Sequence, residues 1–366
     1  MYINIDMKRA VICSTHPEKY IDQLDDYSIM IIDPGAVEAR RKYLLDHSDY
    51  SLLITDHGEQ YRNGQDYPNE RLLWYTSGTT GDSKFCSFTQ AQLDNMAARI
   101  CNSYNITADD RYVSIMPLWH AHGNGFYWAT KHAGCQVDFA KISDAKTINN
   151  YDPTFITAIP NFLKILAKFD FKSLRFIRSA STALPVELFD ALKNHFGVPI
   201  VEAFGMTEAM SHCFTNPLNG EQRPGTIGLP DGVDVDIVNG ELYIKGPTVF
   251  CSGWYNTGDL ADQDSAGYYR ILGRSKDQIN VNGIKVNPQS IEKQILNSLP
   301  TVTECIIFGS DKVKCLYVGD CDVDTVYKFL ISLGSHCRPK VIQSVSSIPI
   351  SPLGKLSRTW LNNQYE

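Results

Sequence analysis

The sequence predicts an α/β protein: a large N-terminal domain of mixed sheets covered by helices, then a small C-terminal α+β domain. Three observations carry this. From Arg71 to Ala203, short buried-type apolar runs alternate with stretches of helical spacing, the pattern of a sheet with helices on both faces. Past Thr226 the period shortens to two, with Asp234 to Val238 and Glu241 to Lys245 flanking Asn239-Gly240, a hairpin signal. From Ser275 onward the order reads hairpin, helix, two strands, helix, strand. The boundary falls near Arg274 to Asp277, giving domains 1–274 and 275–366.

Along the chain, Ser28 to Ile32 and Tyr50 to Thr55 read as strands, and the polar, turn-rich stretch from Asp56 to Glu70 as a connecting loop. Arg71 to Tyr75, Tyr112 to Met116, Gln136 to Phe139, Thr154 to Ala158, Leu174 to Ile177 and Pro199 to Ala203 read as strands. Thr89 to Ile100, Asn161 to Phe169, Val186 to Phe196, Pro288 to Leu299 and Asp324 to Leu333 carry helical spacing.

Composition narrows the function. With 43% hydrophobic and 20% charged residues the chain can bury a large core. A net charge of −7 and the lack of a long Lys/Arg run argue against nucleic-acid binding. No apolar stretch reaches the roughly 18 residues of a membrane span, and no h-region opens the chain, so membrane insertion is not expected. The ten cysteines form no CxxC pair and no zinc-like cluster, which fits a reduced, cytoplasmic protein without a structural metal.

The most informative stretch is Thr76-Ser77-Gly78-Thr79-Thr80-Gly81-Asp82-Ser83-Lys84, directly after a predicted strand. Glycines let the backbone approach a polyphosphate and present N–H donors, hydroxyls add further contacts, and Lys84 adds a compact positive charge. It is not a Walker motif, since GxxxxGK[ST] is absent. A Ser/Gly turn followed by a solvated lysine would explain the loop equally well if it stood alone.

Four later segments join it. Ala203-Phe204-Gly205-Met206-Thr207-Glu208 offers an aromatic for a purine and a carboxylate for Mg²⁺. Tyr255-Asn256-Thr257-Gly258-Asp259 places a carboxylate beside a Gly turn, suited to two ribose hydroxyls. Gly273-Arg274-Ser275-Lys276-Asp277-Gln278-Ile279 leads into Asn282-Gly283-Ile284-Lys285-Val286-Asn287-Pro288, and Ile348 to Arg358 contains Gly354-Lys355. Taken singly, Glu208 reads as a capping partner, Asp259 as a turn residue, Arg274 as a surface charge and Lys355 as a solvated tail. Their order decides otherwise.

The series resembles the superfamily of acyl- and aryl-CoA synthetases, adenylation domains and firefly luciferase, whose signature runs TSGTTGxPK, YGxTE, TGD, GRxKDxIxxxGxxVxPxEIE and PxxxxGKxxR. The resemblance spans Leu72 to the end. It implies ATP-dependent activation of a small carboxylic acid to acyl-AMP, then transfer to a thiol. Thr76 to Gly81 (Thr76, Ser77, Gly78, Thr79, Thr80, Gly81) and Lys84 would hold the β- and γ-phosphates, and Glu208 the Mg²⁺. Phe204 would lie against adenine beside Gly205, with Ser181 and Thr182 nearby, while Asp259 and Arg274 would hold the ribose. Thr207, Glu208, His120 and Lys355 are the implied catalytic residues, Lys355 bridging the attacking carboxylate and the α-phosphate. The small domain would be mobile, swinging about Asp277 to bring the loop around Gly283 to the thiol step.

Departures are visible. The loop opens early, so much of the family's N-terminal subdomain is expected to be reduced. Ser83, Phe85 and Gln90 replace the usual Pro, Gly and His, and Ala180-Ser181-Thr182 is bulkier than the usual GGA turn. Met116 to Gly125 resembles the family's PLFHxxG stretch, where His120 would flank the substrate carboxylate and His122 would be structural or at the rim. No Asp stands there to pair with an α-amine, so an aryl or short acyl acid is expected over an amino acid. Trp119, Phe126, Tyr127 and Trp128 could line a flat acyl site, and Arg175 and Arg178 are candidate acid-binding charges. Ala203 occupies the place where malonate enzymes carry Arg, which counts against malonate. Coenzyme A is the leading acceptor. A carrier-protein phosphopantetheine or an amine is the alternative, as are a homo-oligomer or a partner subunit completing the surface. A degenerate nucleotide-binding protein without turnover is the reading of a different class.

Overall fold

The structure, a computed structural model, describes residues 6–76, 84–349 and 358–365. The chain divides into two compact units, the first Met1–Val235, Ile244–Tyr255 and Gln263–Arg270, the second Asp236–Tyr243, Asn256–Asp262 and Ile271–Glu366.

The first unit opens with β1 (Asp6–Cys13), α1 (Glu18–Ile21), β2 (Tyr27–Ile31), α2 (Glu38–Ser48), β3 (Leu52–Thr55), β4 (Gly58–Tyr61), β5 (Tyr67–Pro68), β6 (Glu70–Tyr75) and β7 (Phe85–Thr89). These build a seven-stranded sheet in the order β4-β3-β1-β2-β6-β7, with β5 paired to β1. Charge hid β1 from a periodicity reading. Its Arg9 is buried and donates to Glu70 on β6, 2.8 Å away, while Ser28 of β2 donates to the same carboxylate oxygen at 2.6 Å. The stretch expected as a loop from Asp56 to Glu70 instead supplies β4 and β5. All four residues of β4 are exposed, so no apolar alternation announces it; backbone pairing to β3 makes it an edge strand.

Next come α3 (Gln90–Tyr104), β8 (Arg111–Ser114), α4 (Ala121–Ala133), β9 (Gln136–Phe139), α5 (Ala145–Tyr151), β10 (Phe155–Ala158), α6 (Pro160–Leu166), β11 (Phe176–Ser179), α7 (Val186–Phe196), β12 (Ile200–Phe204), β13 (Phe214–Thr215) and β14 (Leu229–Pro230). The second sheet has the order β14-β13-β12-β11-β10-β8-β9, and its five strands β8 to β12 are mutually parallel. Helix α3 begins where its residues dictate, with Thr89 and Gln92 forming a reciprocal capping box. It ends at Asn105 in the left-handed region.

Helices α3 and α4 form the layer shared by the two sheets. Leu93, Met96, Ile100 and Phe126 join Ile12, Ile29 and Phe88 on one side and Phe155, Phe176 and Val201 on the other in a single core. Leu44 of α2 packs on the far face of the first sheet. Leu163 and Phe189, of α6 and α7, pack on the far face of the second. Both sheets are therefore helix-covered on both faces, as the alternation implied.

The strands β15 (Asp234–Val238), β16 (Glu241–Lys245), β17 (Tyr255–Gln263) and β18 (Tyr269–Arg274) follow in chain order as a four-stranded sheet. The second unit continues with β19 (Ile279–Val281), β20 (Ile284–Val286), α8 (Pro288–Ser298), β21 (Val302–Phe308), β22 (Val313–Gly319), α9 (Val323–Ser332), β23 (Pro339–Ser344) and α10 (Arg358–Gln364). Ile291 and Ile295 of α8 and Val326 and Leu330 of α9 pack with Ile307, Cys315 and Tyr317 of the three-stranded sheet β21-β22-β23. Leu361 of α10 packs with Ile306, Phe308 and Leu316. Among the described residues no helix is long and apolar enough to cross a membrane.

Candidate active site

The five parallel strands set the site. Their carboxyl ends lie along one edge, and β8 lies between β9 and β10, so successive connections leave it in opposite directions. Such an edge is where an open α/β sheet offers a crevice. The segment after β8 carries His120 into the start of α4, the turn after β11 carries Ser181 and Thr182, and β12 runs into Gly205, Thr207 and Glu208.

Side chains from these segments converge. Leu118, Trp119, His120, Ala121 and Asn124 line a small cavity together with Thr207 and with Ile31, Trp74 and Tyr75 of the first sheet. Gly123 makes this arrangement feasible. A Cβ there would fall 2.4 Å from the carbonyl oxygens of Met116 and Pro117, so only glycine lets α4 settle on the segment that carries His120. A Cβ on Gly205 would lie 1.6 Å from the Ser211 carbonyl oxygen, which accounts for glycine beside Phe204.

Ser181 holds a left-handed φ of 73° and is exposed, as is Thr182. Its Oγ lies 3.0 Å from His122 Nδ1, while His122 Nε2 is 2.6 Å from Thr157 Oγ1 and 3.1 Å from Arg178 Nη1. His122 is buried in the core, neither rim nor exposed surface. Burial, then the positive charges of Arg178 and His120, hold its pKa well below the usual histidine value. Arg178 is 1% exposed, and its hydrogen-bond partners among the described residues are neutral: His122, Thr157, and Tyr104, whose hydroxyl lies 2.9 Å from Nε. Arg175, the other candidate charge, is taken by Asp110 at 2.8 Å.

The ends of the phosphate loop are pinned by β6 and β7. Thr76 N donates to the Lys84 carbonyl at 2.9 Å, beside the register pair Tyr75 and Phe85. Ser77, Gly78, Thr79, Thr80 and Gly81, with Asp82 and Ser83, lie outside the described residues, as does Lys355. Lys84 Nζ sits 4.3 Å from the Phe250 ring centroid and 4.8 Å from that of Tyr255. The Tyr255 hydroxyl donates to Glu208 Oε1 at 3.2 Å. Beneath this cluster the buried Cys86 thiol is pushed up to about 12, by burial first and then by Glu208.

Glu208 is a half-buried carboxylate, and Mg²⁺, which keeps waters and substrate phosphates, needs few protein oxygens. Among the described residues no group of three His, Cys, Asp or Glu could hold an ion alone. A single protein carboxylate fits a metal that arrives with polyphosphate.

In the second unit, Asp259 and Arg274 are brought together, Nε to Oδ1 at 3.1 Å. Arg274 Nη1 also donates to the Thr257 carbonyl at 3.0 Å, and Asp259 N donates to Thr257 Oγ1 at 3.1 Å. Gly283 occupies the exposed turn between β19 and β20 with φ 88°, and a Cβ at that position would point into open space. Arg358, closing the last motif, reaches Glu292 at 2.7 Å and Asp277 at 3.3 Å.

Of the aromatics suggested for an acyl wall, Trp119 lines the cavity, but Phe126 and Tyr127 are core. Helical geometry explains the correction, because α4 turns those two rings between the sheets. Sequence reasoning missed Asn124, Phe250 and Tyr255. Asn124 is buried on the cavity wall with Oδ1 unpaired among the described residues. A polar residue within a run of core residues was its signal. Phe250 had none.

The profile of the AMP-binding enzyme family matches residues 68–253, and that of the AMP-binding enzyme C-terminal domain matches 276–318. An oxalate–CoA ligase of Arabidopsis thaliana is 27% identical over 93% of this chain and 79% of its own length. A sulfoacetate–CoA ligase of Cupriavidus necator is 28% identical over 80% of this chain and 66% of its own, and the probable CoA ligase CCL9 of Humulus lupulus 29% over 78% and 64%. In fold the chain is similar to ATP-bound MatB from Rhodopseudomonas palustris, with a TM-score of 0.84 and 20% identity over 98% of this chain and 89% of that one. It is likewise similar to O-succinylbenzoate coenzyme A synthetase from Bacillus subtilis in complex with ATP and magnesium, with a TM-score of 0.82 and 21% identity over 98% and 90%. The chain belongs to the AMP-binding enzyme family, within the adenylate-forming superfamily. Several curated relatives are longer, and the chain spans about two thirds of those.

Proposed function

We propose that this chain is an AMP-forming acid–thiol ligase that activates a small aryl or short acyl acid with ATP and passes the acyl group to coenzyme A. One observation carries the reading: His120, Asn124 and Thr207 share a cavity at the carboxyl edge of the parallel strands, the edge that also carries Ser181, Phe204 and Glu208. Among the described residues no acidic side chain lines that cavity, which disfavours a substrate with an α-amine. Oxalate and sulfoacetate, named for two relatives, are small acids, which supports a short acid here.

In the first half-reaction an acid oxygen attacks the α-phosphorus, the bond to the bridging oxygen breaks, and pyrophosphate leaves. The barrier is electrostatic, an anion approaching a polyanion, so positioning and charge neutralisation carry it. Thr76 and Lys84, with the loop between them, hold the outer phosphates. Glu208 would hold Mg²⁺, which neutralises phosphate charge when bound. Phe204 offers its ring to adenine, and Asp259 and Arg274 hold the ribose. Lys355 neutralises the attacking carboxylate and the α-phosphate. In the second half-reaction the thiol sulfur attacks the acyl carbon and AMP departs with the bonding electrons. Residues 275–366 are read as a mobile domain whose Gly283 turn serves this step.

Acid-dependent exchange of labelled pyrophosphate into ATP, followed by mass spectrometry of products with coenzyme A, a carrier protein and simple amines, tests the reading. A CoA thioester is expected. A product formed only with another acceptor overturns the acceptor, and ATP binding without exchange for any acid overturns the ligase.

A further inference from the structure

We infer that His122 is a positioning residue that holds its proton on Nδ1 and thereby frees the Ser181 hydroxyl to act as an outward hydrogen-bond donor at the nucleotide site. The inference rests on the proposed nucleotide role of the turn after β11.

Arg178 has donors only, and its Nη1 points at His122 Nε2 from 3.1 Å. A proton on Nε2 would face that donor head-on. Thr157 Oγ1, 2.6 Å from Nε2, resolves its own bonding by accepting from Arg178 Nη1 at 3.2 Å and donating to the ring. Nε2 is thus an acceptor from both sides. A doubly protonated ring is excluded, because His122 is buried and already shares its pocket with a guanidinium. The one remaining proton sits on Nδ1 and is donated to Ser181 Oγ at 3.0 Å.

The consequence lies at Ser181. With one lone pair engaged by His122, its hydroxyl hydrogen is free to turn outward from an exposed turn at the carboxyl edge of the sheet. The arrangement presents a donor to an acceptor atom of the adenine nucleotide. The network also gives the buried Arg178, bonded to neutral groups, a purpose: it selects a tautomer.

Two measurements test this on the full chain. Histidine ring NMR on isotope-labelled protein, with the His122 signals assigned by their loss in a variant, reads the tautomer directly; Nδ1–H is expected, and Nε2–H overturns the inference. Calorimetric AMP binding reads the consequence. Ser181→Gly suits the left-handed backbone, so it keeps the fold while removing the hydroxyl, and it is expected to weaken AMP about three- to tenfold. His122→Asn, whose amide nitrogen stands near Nδ1, should retain most of the affinity, and His122→Gln should lose as much as Ser181→Gly. Unchanged AMP binding in Ser181→Gly overturns the inference. Failure of the wild-type chain to bind AMP at all overturns the proposed function instead, while the tautomer remains readable.

Discussion

The Tyr255 hydroxyl donates to Glu208 at 3.2 Å while its ring lies 4.8 Å from Lys84 Nζ, so one side chain touches both the candidate metal carboxylate and the candidate phosphate lysine. Burial, followed by Glu208, raises the phenol pKa and keeps Tyr255 a neutral donor across the accessible pH range. Glu208→Gln should therefore reduce pyrophosphate exchange by about a hundredfold or more at fixed Mg²⁺. Tyr255→Phe should change the Mg²⁺ dependence only about three- to tenfold, the scale of one neutral-to-charged hydrogen bond. Mg²⁺ titrations of exchange check both. Equal losses in the two variants would mean that Tyr255 is itself part of the catalytic apparatus.

Arg274 bonds Asp259 and the Thr257 carbonyl together, a geometry that a lysine ammonium on a flexible stem does not reproduce. Arg274→Lys is expected to raise the KM for ATP about tenfold with a smaller change in kcat, and Asp259→Asn to do at least as much. Steady-state kinetics with ATP varied would show it. A pure kcat effect would place this pair in the chemical step.

Glu202, on β12 and buried, has its pKa raised from 4.5 to about 7 by burial, against opposing hydrogen bonds from Gly225 and Leu184. The sign follows from linkage. With the folded pKa above the unfolded one, the native state binds the extra proton, so this group favours folding at acid pH. That contribution is lost as pH rises from about 4.5 to about 7, by on the order of 3 kcal/mol. Glu202→Gln removes the titration, and it should stabilise the protein relative to wild type more at pH 8 than at pH 5. Urea midpoints at the two pH values check this; an identical difference at both would place the Glu202 titration outside that window.

Gly123→Ala should destabilise the first unit by about 1–3 kcal/mol, since the new methyl carbon would meet two carbonyl oxygens at 2.4 Å. Relief of that clash displaces α4 or the segment carrying His120, so exchange activity should fall together with Tm. Thermal denaturation and exchange on the same preparation test the coupling. A stability loss with full activity would show that His120 does not depend on this seat.

Much of the fold was legible because strand and helix alternated with clean periods. Val186–Phe196, Asp234–Val238 and Glu241–Lys245 were read with the bounds they have in the structure. What escaped did so for physical reasons. The ion pair between Arg9 and Glu70 satisfies two charges in the core, which no hydropathy pattern shows. The exposed edge strand Gly58–Tyr61 is defined by backbone pairing rather than by side chains. Helix α4 was hidden by its two glycines, which lower helix propensity but are needed where its backbone meets neighbouring residues closely. In the site, motif spacing named Glu208, Asp259 and Arg274, since their chemistry depends on local turns. The roles of His122 and Arg178 depend on side chains 56 residues apart meeting across a helix–strand contact, and nothing local encodes that.

The most direct test of the account is pyrophosphate exchange into ATP by the purified chain across aryl, short-chain, dicarboxylic and amino acids. Exchange dependent on one class of small non-amino acid, and lost in Glu208→Gln, is the predicted result. ATP binding with no exchange for any acid would contradict it.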